Sequence, residues 1–469
     1  MINLLTAPGI GRLLRWKPTR TIWRWTLFTL AAIMIIDGFF GPPLAAKNVA
    51  TIAAWVHYRG LVVLALLFFG NLFCAGCPFL LTRGLARRLG RPAHRFPKPL
   101  RNKWTAMVAL LAMLFVYEWL DLWASPWLTA WVIVAYFLAA FLFEAFFTHD
   151  AFCLYVCPLG SFNFLYSGVS PTQIASKDLQ TCRECVGHEC VNGLHGADGH
   201  LLQQGCQLEL YVPTIQGNLN CTLCLDCVRA CPYDNVALAA RPPADELFRR
   251  ARPRRLDTAL LAIMAAFLGL VNAFAMTPPV YELQQRLAAL LHTRSEFVVL
   301  GVIFVVGAIL SPLAAGYGAA WLSRKLTGGS GDLRSRIIRY AYGFVALGFG
   351  IWTAHYLFHF LTGPLTIIPA LQGFFAYMVG VPILGEPNWS LAARGVIPLP
   401  VIRGVQMTAV LAGLLTGGAS AWRAATEEAV TRQEALRAAI VWLLLLLTMA
   451  LIAVYLFLLP MEMRGNILG

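Results

Sequence analysis

Residues 221–232 read Cys221-Thr-Leu-Cys224-Leu-Asp-Cys227-Val-Arg-Ala-Cys231-Pro232, which is a C-x2-C-x2-C-x3-C-P spacing. Three thiolates this close together on one loop fit three corners of a [4Fe–4S] cube, and a fourth that precedes a proline reaches a second cube in two-cluster proteins. The alternative is a zinc site, which usually takes two separated C-x2-C pairs rather than evenly stepped cysteines. The spacing therefore favours an iron–sulfur cluster and a role in electron transfer.

The rest of the chain is typical of a membrane protein. Of its 469 residues, 58% are hydrophobic and only 13% are charged, a balance that excludes a soluble enzyme. The formal net charge is +14, but the basic residues lie between apolar stretches. In these positions basic residues contact membrane lipid headgroups and determine the orientation of the helices. We therefore expect membrane lipid rather than nucleic acid as a partner. The twelve cysteines fall into groups without a leftover, which favours metal ligation in a reducing compartment.

Apolar stretches of about 20 residues, the length that spans a bilayer, predict an all-α polytopic membrane protein with about nine transmembrane helices. They lie near residues 22–41, 60–81, 104–124, 127–148, 256–277, 296–322, 338–361, 401–421 and 438–460. A further apolar stretch, 365–385, is interrupted by prolines and glycines, and we expect it to be interfacial or re-entrant.

The basic residues also predict an orientation. Arginine and lysine are concentrated at 12–24, 83–103, 249–255 and 324–339, whereas the alternate loops contain few. By the positive-inside rule, the N-terminus and the cysteine-rich stretch are cytoplasmic, the membrane is a bacterial-type inner membrane, and the C-terminus is on the outer side.

These features divide the chain into four consecutive segments. Residues 1–21 are basic and amphipathic, and we expect them to lie at the membrane interface. Residues 22–169 form a four-helix membrane domain with the remaining cysteines, and residues 241–469 form a five-helix one. Between them, residues 170–240 are rich in glycine, asparagine, glutamine and cysteine. This composition predicts an inserted small ferredoxin-like domain with two [4Fe–4S] clusters, whose clusters replace a large apolar core.

A second cysteine group precedes the first motif. It reads Cys182-Arg-Glu-Cys185-Val-Gly-His-Glu-Cys190 and is followed by Cys206, which lacks the proline. In two-cluster ferredoxins the fourth cysteine of each motif binds the other cluster. By that exchange, one cube is held by Cys182, Cys185, Cys190 and Cys231, and the other by Cys206, Cys221, Cys224 and Cys227. His188, inside the second group, is either a further ligand or a solvated loop residue.

The remaining four cysteines form an internal repeat. Phe73-Cys74-Ala-Gly-Cys77-Pro78 ends the second predicted helix, and Phe152-Cys153-Leu-Tyr-Val-Cys157-Pro158 follows the fourth. The predicted orientation places both at the cytoplasmic membrane face, where four thiolates could hold a third Fe–S centre. The alternatives are a redox dithiol, or cysteines that pack as small apolar residues.

Twin Cys-Pro motifs followed by a two-cluster ferredoxin module resemble the NapH/NosR-type membrane-integral ferredoxins of periplasmic nitrate and nitrous-oxide reduction, whose relatives include polyferredoxin-like accessory proteins of cytochrome oxidase assembly. The resemblance covers about residues 20–240 and is most specific at 153–158 and 221–232. It implies electron transfer between the quinone pool or a membrane partner and a redox enzyme, with other subunits of a redox complex as partners. The first Cys-Pro motif is one residue shorter than the family's C-x3-C-P, and the helices after 255 have no counterpart in the resemblance.

Ionisable residues within the apolar stretches predict a further site, because charges inside a membrane are costly. His355 and His359 lie one turn apart on the seventh predicted helix, and we expect Asp37, Glu118 and Asp121 at a similar outer depth. Such a group could bind a quinol headgroup and accept its protons, or the residues could make interhelical hydrogen bonds. A haem is disfavoured, because two histidines one turn apart cannot hold one ring from both faces.

The sequence thus predicts an electron-transfer subunit of an oxidoreductase complex. It has no nucleotide-binding loop, flavin motif or catalytic triad, so we expect a partner to supply the chemistry. Two alternatives stay open. One is an assembly or maturation factor that supplies electrons for the biogenesis of a respiratory enzyme, and the other is a structural membrane anchor of an oxidoreductase complex.

Overall fold

A computed structural model describes residues 2–461 except 91, 93, 149, 250–254, 330 and 428. Four of the predicted topology signals, the arginines at 91, 250, 252 and 254, and the C-terminus therefore lie outside the described residues. The described part contains eight helices long and apolar enough to cross a bilayer, which confirms a polytopic, mainly helical membrane protein. These helices are Pro18–Phe40, Val49–Phe68, Pro126–Phe146, Leu256–Phe274, Glu296–Leu326, Leu333–Thr362, Leu399–Thr426 and Arg432–Leu458.

The second helix differs from its prediction. It is Val49–Phe68 rather than 60–81, and it contains the buried side chains of His57 and Arg59. The chain after it forms the short helix Leu72–Ala75 and then a 3-10 turn. The prediction was wrong because it treated these two polar residues as part of a loop, whereas packing inside the protein covers both.

The third predicted helix is also shorter than expected. The helix Trp104–Trp119 has 16 residues, fewer than the about 20 that span a bilayer upright. The described residues therefore give eight long apolar helices rather than nine. The interrupted stretch 365–385 forms the 12-residue helix Ile367–Met378, which is too short to cross.

Several shorter helices complete the helical part of the structure. They are Ile10–Arg15, Arg83–Gly90, Pro158–Tyr166, Leu179–Glu184, Glu189–Asn192, Asp226–Ala230, Pro279–Leu290 and Trp389–Arg394.

The polar region contains a three-stranded antiparallel sheet. Its central strand, Val236–Ala240, pairs with Thr172–Ser176 on one side and with Ile2–Asn3 on the other. In this register Ile174 lies opposite Leu238, and both side chains are buried. Two short ladders accompany the sheet, with Leu194–His195 against Leu201–Gln203 and His94–Arg95 against Phe147–Thr148.

The N-terminal segment has two parts. Its first residues belong to the sheet, and Leu5 is buried in the apolar core beside the central strand. The next helix, Ile10–Arg15, exposes Leu13, and Trp16 after it is exposed too. Only this second part has the amphipathic character of the predicted interfacial segment.

The chain forms two compact units that are not consecutive in sequence. The first comprises residues 1–36, 64–109 and 130–252 and contains every cysteine. The second comprises 37–63, 110–129 and 253–469. These two units therefore differ from the four consecutive segments predicted from the sequence.

Candidate functional site

Four cysteines of the first unit line one cavity and are called the surface set: Cys182, Cys185, Cys190 and Cys231. Asn235 donates two hydrogen bonds to their sulfurs, from its side chain to Cys182 at 3.2 Å and from its backbone to Cys231 at 3.3 Å. Cys185 donates to the Glu189 carboxylate at 3.1 Å. These are the four cysteines that were predicted to share one cluster, with the fourth cysteine supplied by the other motif. That they bind a cluster stays a prediction.

Four other cysteines form a second group, called the core set: Cys206, Cys221, Cys224 and Cys227. Burial raises the pKa of Cys221 to about 12; a hydrogen bond from the Leu223 N–H opposes the rise, and the neighbouring Cys224 and Cys206 thiols add to it. Burial and the Cys224 thiol likewise raise the pKa of Cys206 to about 11. Thiolates are the metal-binding form, so metal binding here would release protons.

The loop of the core set is built from left-handed backbone. Asn220, Leu223 and Leu225 have φ values of 65°, 52° and 62°, a region that residues other than glycine rarely adopt. This curvature directs the Leu223 N–H at the Cys221 sulfur, at 3.4 Å. Backbone N–H groups aimed at sulfur are a common feature of anion and iron–sulfur sites.

The two Cys-Pro motifs line a single apolar cavity, and their cysteines are called the helix-end set: Cys74, Cys77, Cys153 and Cys157. The motifs converge although one has two intervening residues and the other three. The extra residue is accommodated by a π-helical turn, Phe152–Val156, which the Cys157 N–H closes onto the Phe152 carbonyl at 2.7 Å. Isolated π turns of this kind often mark functional sites.

The helix-end set receives its own hydrogen bonds. The Gly160 N–H donates to Cys157 at 3.2 Å, and the Asn163 side chain donates to Cys74 at 3.5 Å. Burial raises the pKa of Cys157 to about 12, which the Gly160 N–H only partly offsets. The four thiols and the N–H groups around them form a donor set suited to an iron–sulfur group.

Two residues join the helix-end set to the core set. Thr222, which lies between Cys221 and Cys224 in sequence, is part of the wall of the helix-end cavity. The Asn71 side chain is buried, donates to the Cys221 carbonyl at 3.4 Å and also interacts with the Cys74 thiol. The core set is joined in turn to the surface set, because the Cys206 N–H donates to the Cys190 carbonyl at 2.7 Å.

Arg20 connects the segments that contain two of the sets. Its guanidinium pairs with Asp226 in the core-set motif, donates to the Gln207 side chain at 3.1 Å, and donates to the Ala75 carbonyl at 3.2 Å. Elsewhere in this unit, Glu144 is paired with Arg83 and Arg87 rather than isolated. These buried ion pairs fix the cysteine loops against the helices.

No group of three or more His, Cys, Asp or Glu side chains in the described part of the chain is arranged to hold a single metal ion. A cubane cluster differs from one ion, since its thiolates bind iron atoms at four separate corners. The thiols present fit such a group in number and chemistry: each set offers four sulfurs, two of the sets surround a cavity, and all three receive N–H donors.

The second unit contains a larger cavity, of about 580 Å³, within the range of ligand-binding pockets. His355 and His359 both line it. Their side chains are 1% and 6% exposed, and within the described part of the chain neither nitrogen of His355 nor the Nε2 of His359 has a hydrogen-bond partner. Buried nitrogens without partners leave free hydrogen-bonding capacity for a ligand.

Arg59 lines the same cavity and is 4% exposed. Its guanidinium lies over three aromatic rings, at 5.0 Å from the centroid of Trp55, 4.5 Å from Tyr117 and 5.3 Å from Tyr356. It forms no salt bridge with a carboxylate of the described residues. A cation partly stabilised by ring faces therefore accompanies the two histidines.

The other residues predicted for this site lie elsewhere in the second unit. Glu118 accepts a hydrogen bond at 3.0 Å from Asn272, which does line the cavity. Asp37 is fully buried, accepts from the Val49 N–H at 2.5 Å and pairs with the Tyr377 hydroxyl. Neither Asp37 nor Asp121 lines the cavity. The five residues predicted to form one group are therefore not all brought together.

His188 is also outside the surface-set cavity. It has a left-handed backbone, with φ 47°, and its ring meets the Tyr211 ring edge-on at 5.0 Å. The structure thus places it as a loop residue that packs against the wall of the surface set.

Sequence reasoning missed Arg59, Asn71 and Thr222. Arg59 is an ionisable residue within an apolar stretch, and this pattern would have indicated a site had the helix been placed correctly. Asn71 and Thr222 gave no such indication, because their contact with cysteines distant in sequence depends on the packing of the loops.

Comparison of the chain with known proteins gives no match to a protein-family model, a curated protein or a solved structure.

Proposed function

We propose that this protein is a membrane-bound iron–sulfur electron-transfer protein. The observation that supports the proposal most is the grouping of all twelve cysteines into three sets of four, joined in the order helix-end, core, surface. The surface and core sets would each hold a [4Fe–4S] cluster, and the helix-end set a third Fe–S centre. Such groups supply one-electron transfer when bound.

The residues between the sets would keep the centres close and oriented. Asn71 and Thr222 fix the helix-end set against the core set, and the hydrogen bond between Cys206 and Cys190 fixes the core set against the surface set. Asn71 and Thr222 are buried, and their contacts would exclude water from the region between the helix-end set and the core set.

The surface set is where a soluble partner would exchange electrons. Val186, directly after Cys185, is 93% exposed, and Tyr233, two residues after Cys231, is 57% exposed. Exposed apolar side chains beside a redox centre are typical of transient protein contacts. The partner would be a redox enzyme or another subunit of its complex.

The basic loops support an inner-membrane orientation with the surface set in the cytoplasm. The loop 83–103 contains arginine and lysine but no acidic residue, so the positive-inside rule retains it on the cytoplasmic side. With loop 83–103 in the cytoplasm, a crossing of the short helix Trp104–Trp119 would place the surface set in the cytoplasm and the C-terminus on the outer side.

The cavity of the second unit supports a quinone or quinol as the membrane-side electron carrier. Its apolar walls suit a lipid-soluble ring, Arg59 can donate to a carbonyl oxygen, and the free nitrogens of His355 and His359 can accept a hydroxyl hydrogen. Oxidation of one quinol releases two protons and two electrons. The histidines would receive the protons, and the electrons would pass one at a time to the cysteine-bound centres.

Electron transfer from a quinol can be tested directly. The protein is purified without oxygen, mixed with a short-chain quinol, and followed by the loss of visible iron–sulfur absorption. We expect rapid bleaching in the wild type and a much smaller amplitude in Cys157→Ser. The control is Ser161→Ala in the helix that Cys157 caps; it removes a buried hydroxyl that has no hydrogen-bond partner among the described residues.

The same experiment separates the alternatives. A structural anchor would show no bleaching by quinol and would keep its partner's activity in Cys157→Ser, and this result would contradict the proposal. An assembly factor would be reduced by quinol but would not remain bound to the mature partner enzyme during purification.

A further inference from the structure

Arg24 has unused hydrogen-bond donors at a buried position. It lies in the helix Pro18–Phe40, one turn after Arg20. Its Nε and Nη2 atoms are shielded from solvent and have no hydrogen-bond partner among the residues that the structure describes. Buried donors on a charged group are costly unless something binds them.

The helix that contains Arg24 lies against the loops of two cysteine sets. The Trp23 indole N–H donates to the Leu72 carbonyl and the Arg20 guanidinium donates to the Ala75 carbonyl, both at 3.2 Å, just before Cys77 of the helix-end set. Arg20 also pairs with Asp226 of the core-set motif. The opposite charges that act on Arg24 there are the thiols of Cys224 and Cys77. The two other arginines near it are already paired, Arg20 with Asp226 and Arg83 with Glu144. Arg24 forms no ion pair within the described residues. It is therefore a cation with free donors between two cysteine sets.

We propose that Arg24 is a positioning residue that donates hydrogen bonds toward the iron–sulfur groups of the core and helix-end sets and raises their reduction potentials. This inference rests on the proposed function. A cluster held by four thiolates is anionic and gains a further negative charge on reduction, so a nearby cation with N–H groups directed at sulfur stabilises the reduced form. Burial strengthens the effect because solvent screens it less.

The two sets would be matched by this arrangement. One guanidinium acts on both, and its planar fork can donate in two directions at once. A shared cation would raise both potentials together, so its loss should lower both.

The test uses the full-length protein, purified without oxygen, and a redox titration followed by EPR. In Arg24→Gln, which removes the charge at similar volume, we expect a lower midpoint potential. At a fixed potential near the wild-type midpoint, the ratio of oxidised to reduced centre should rise about tenfold, or about 59 mV for one electron. The control Lys17→Gln removes one exposed positive charge just before the same helix and should leave the midpoint unchanged.

Each outcome decides the inference. An unchanged midpoint in Arg24→Gln with full iron content would overturn it, while the proposed function would stand. Should Arg24→Gln fail to load iron, Arg24→Lys decides: it keeps the charge but loses the fork, so a smaller fall in potential supports the inference and no fall overturns it. A wild type without iron would instead refute the proposed function itself.

Discussion

Arg59 is a charged side chain that is buried within an apolar stretch of the sequence. It lies inside an apolar helix, and three aromatic rings face its guanidinium at 4.5–5.3 Å. A desolvated cation–π contact contributes up to about 2 kcal/mol. The rings thus replace the acidic partner that a buried arginine normally needs, and they leave its N–H groups available.

This arrangement predicts the effect of Arg59→Gln. The substitution removes a charge-assisted hydrogen bond of about 1.5–3 kcal/mol. We expect quinol or quinone to bind at least about tenfold more weakly, with the iron content unchanged. The measurement is a titration of the purified protein with a fluorescent or radiolabelled quinone analogue.

A matched control is Arg286→Gln. Arg286 is exposed and pairs with Glu282 within its own helix, so its loss should leave quinone affinity within about twofold, given how little exposed ion pairs contribute. Equal quinone affinities in the wild type and Arg59→Gln would show that quinone does not bind in this cavity.

At the residue level, the cysteine spacing predicted which cysteines lie together, whereas the roles of other side chains depend on packing. The C-x2-C-x2-C-x3-C-P run indicated which cysteines could share a centre, because only certain separations reach the corners of one cube. In contrast, Asp37 was predicted at a quinone site because it is acidic and lies in an apolar stretch. Its bonds to Val49 and Tyr377 show that such a residue can instead fasten helix ends together.

At the scale of elements, the π turn Phe152–Val156 explains how unequal motifs meet. One residue more or less turns an α-helix by about 100°, so C-x2-C and C-x3-C on regular helices would direct their cysteines differently. The wider π turn absorbs the extra residue before Cys157, and both Cys-Pro motifs then line one cavity.

Deletion of Tyr155 tests this explanation. It shortens the second motif to C-x2-C and removes the residue that the π turn accommodates. We expect the helix-end set to lose its centre, which would lower iron by about four atoms per chain if that centre is a cube. The core and surface sets should keep theirs, as judged by iron analysis and EPR.

Tyr155→Phe serves as the control, because it keeps the residue count and the ring that stacks on Phe96. Full iron content in the deletion variant would show that the π turn is not required and that the helix-end cysteines do not depend on their spacing.

The placement of helices was predictable from apolar length except where polar residues are buried. The long stretches after residue 255 contain few such residues, and their helices lie close to the predicted ranges. The helix Val49–Phe68 was misplaced because the buried polar residues His57 and Arg59 lie in its middle. The N-terminal strand could not be predicted either, since its pairing with Val236–Ala240 is a contact between the two ends of the first unit's sequence.

At the scale of the whole molecule, the strand Ile2–Asn3 pairs with Val236–Ala240 although three long apolar helices separate them in sequence. Both strands lie on one side of the membrane only if a fourth helix between them, Trp104–Trp119, also crosses. Its 16 residues are few for an upright crossing, but membranes can thin around a short helix. The predicted orientation, with a cytoplasmic N-terminus and an outer C-terminus, requires an odd number of crossings and therefore requires this helix to cross.

Reporter fusions can decide it. We expect a fluorescent protein inserted at Gly199, in the turn between two short strands, to fluoresce as a cytoplasmic reporter does. Alkaline phosphatase fused after residue 469 should be active, which requires the outer side. A fluorescent protein fused before residue 1 should fluoresce as well. Fluorescence at only one of the N-terminal and Gly199 positions would mean that Trp104–Trp119 does not cross, and fluorescence at neither position, with an inactive phosphatase, would reverse the orientation.

The most direct test of the central claim is the content of iron, acid-labile sulfide and zinc per chain in protein purified without oxygen, with EPR of the reduced sample. The account predicts about twelve irons with matching sulfide if all three sets hold cubes, and about eight in Cys153→Ser. About eight in the wild type would confine the clusters to the core and surface sets and leave the helix-end cysteines as thiols. Zinc in place of iron would contradict the account as a whole.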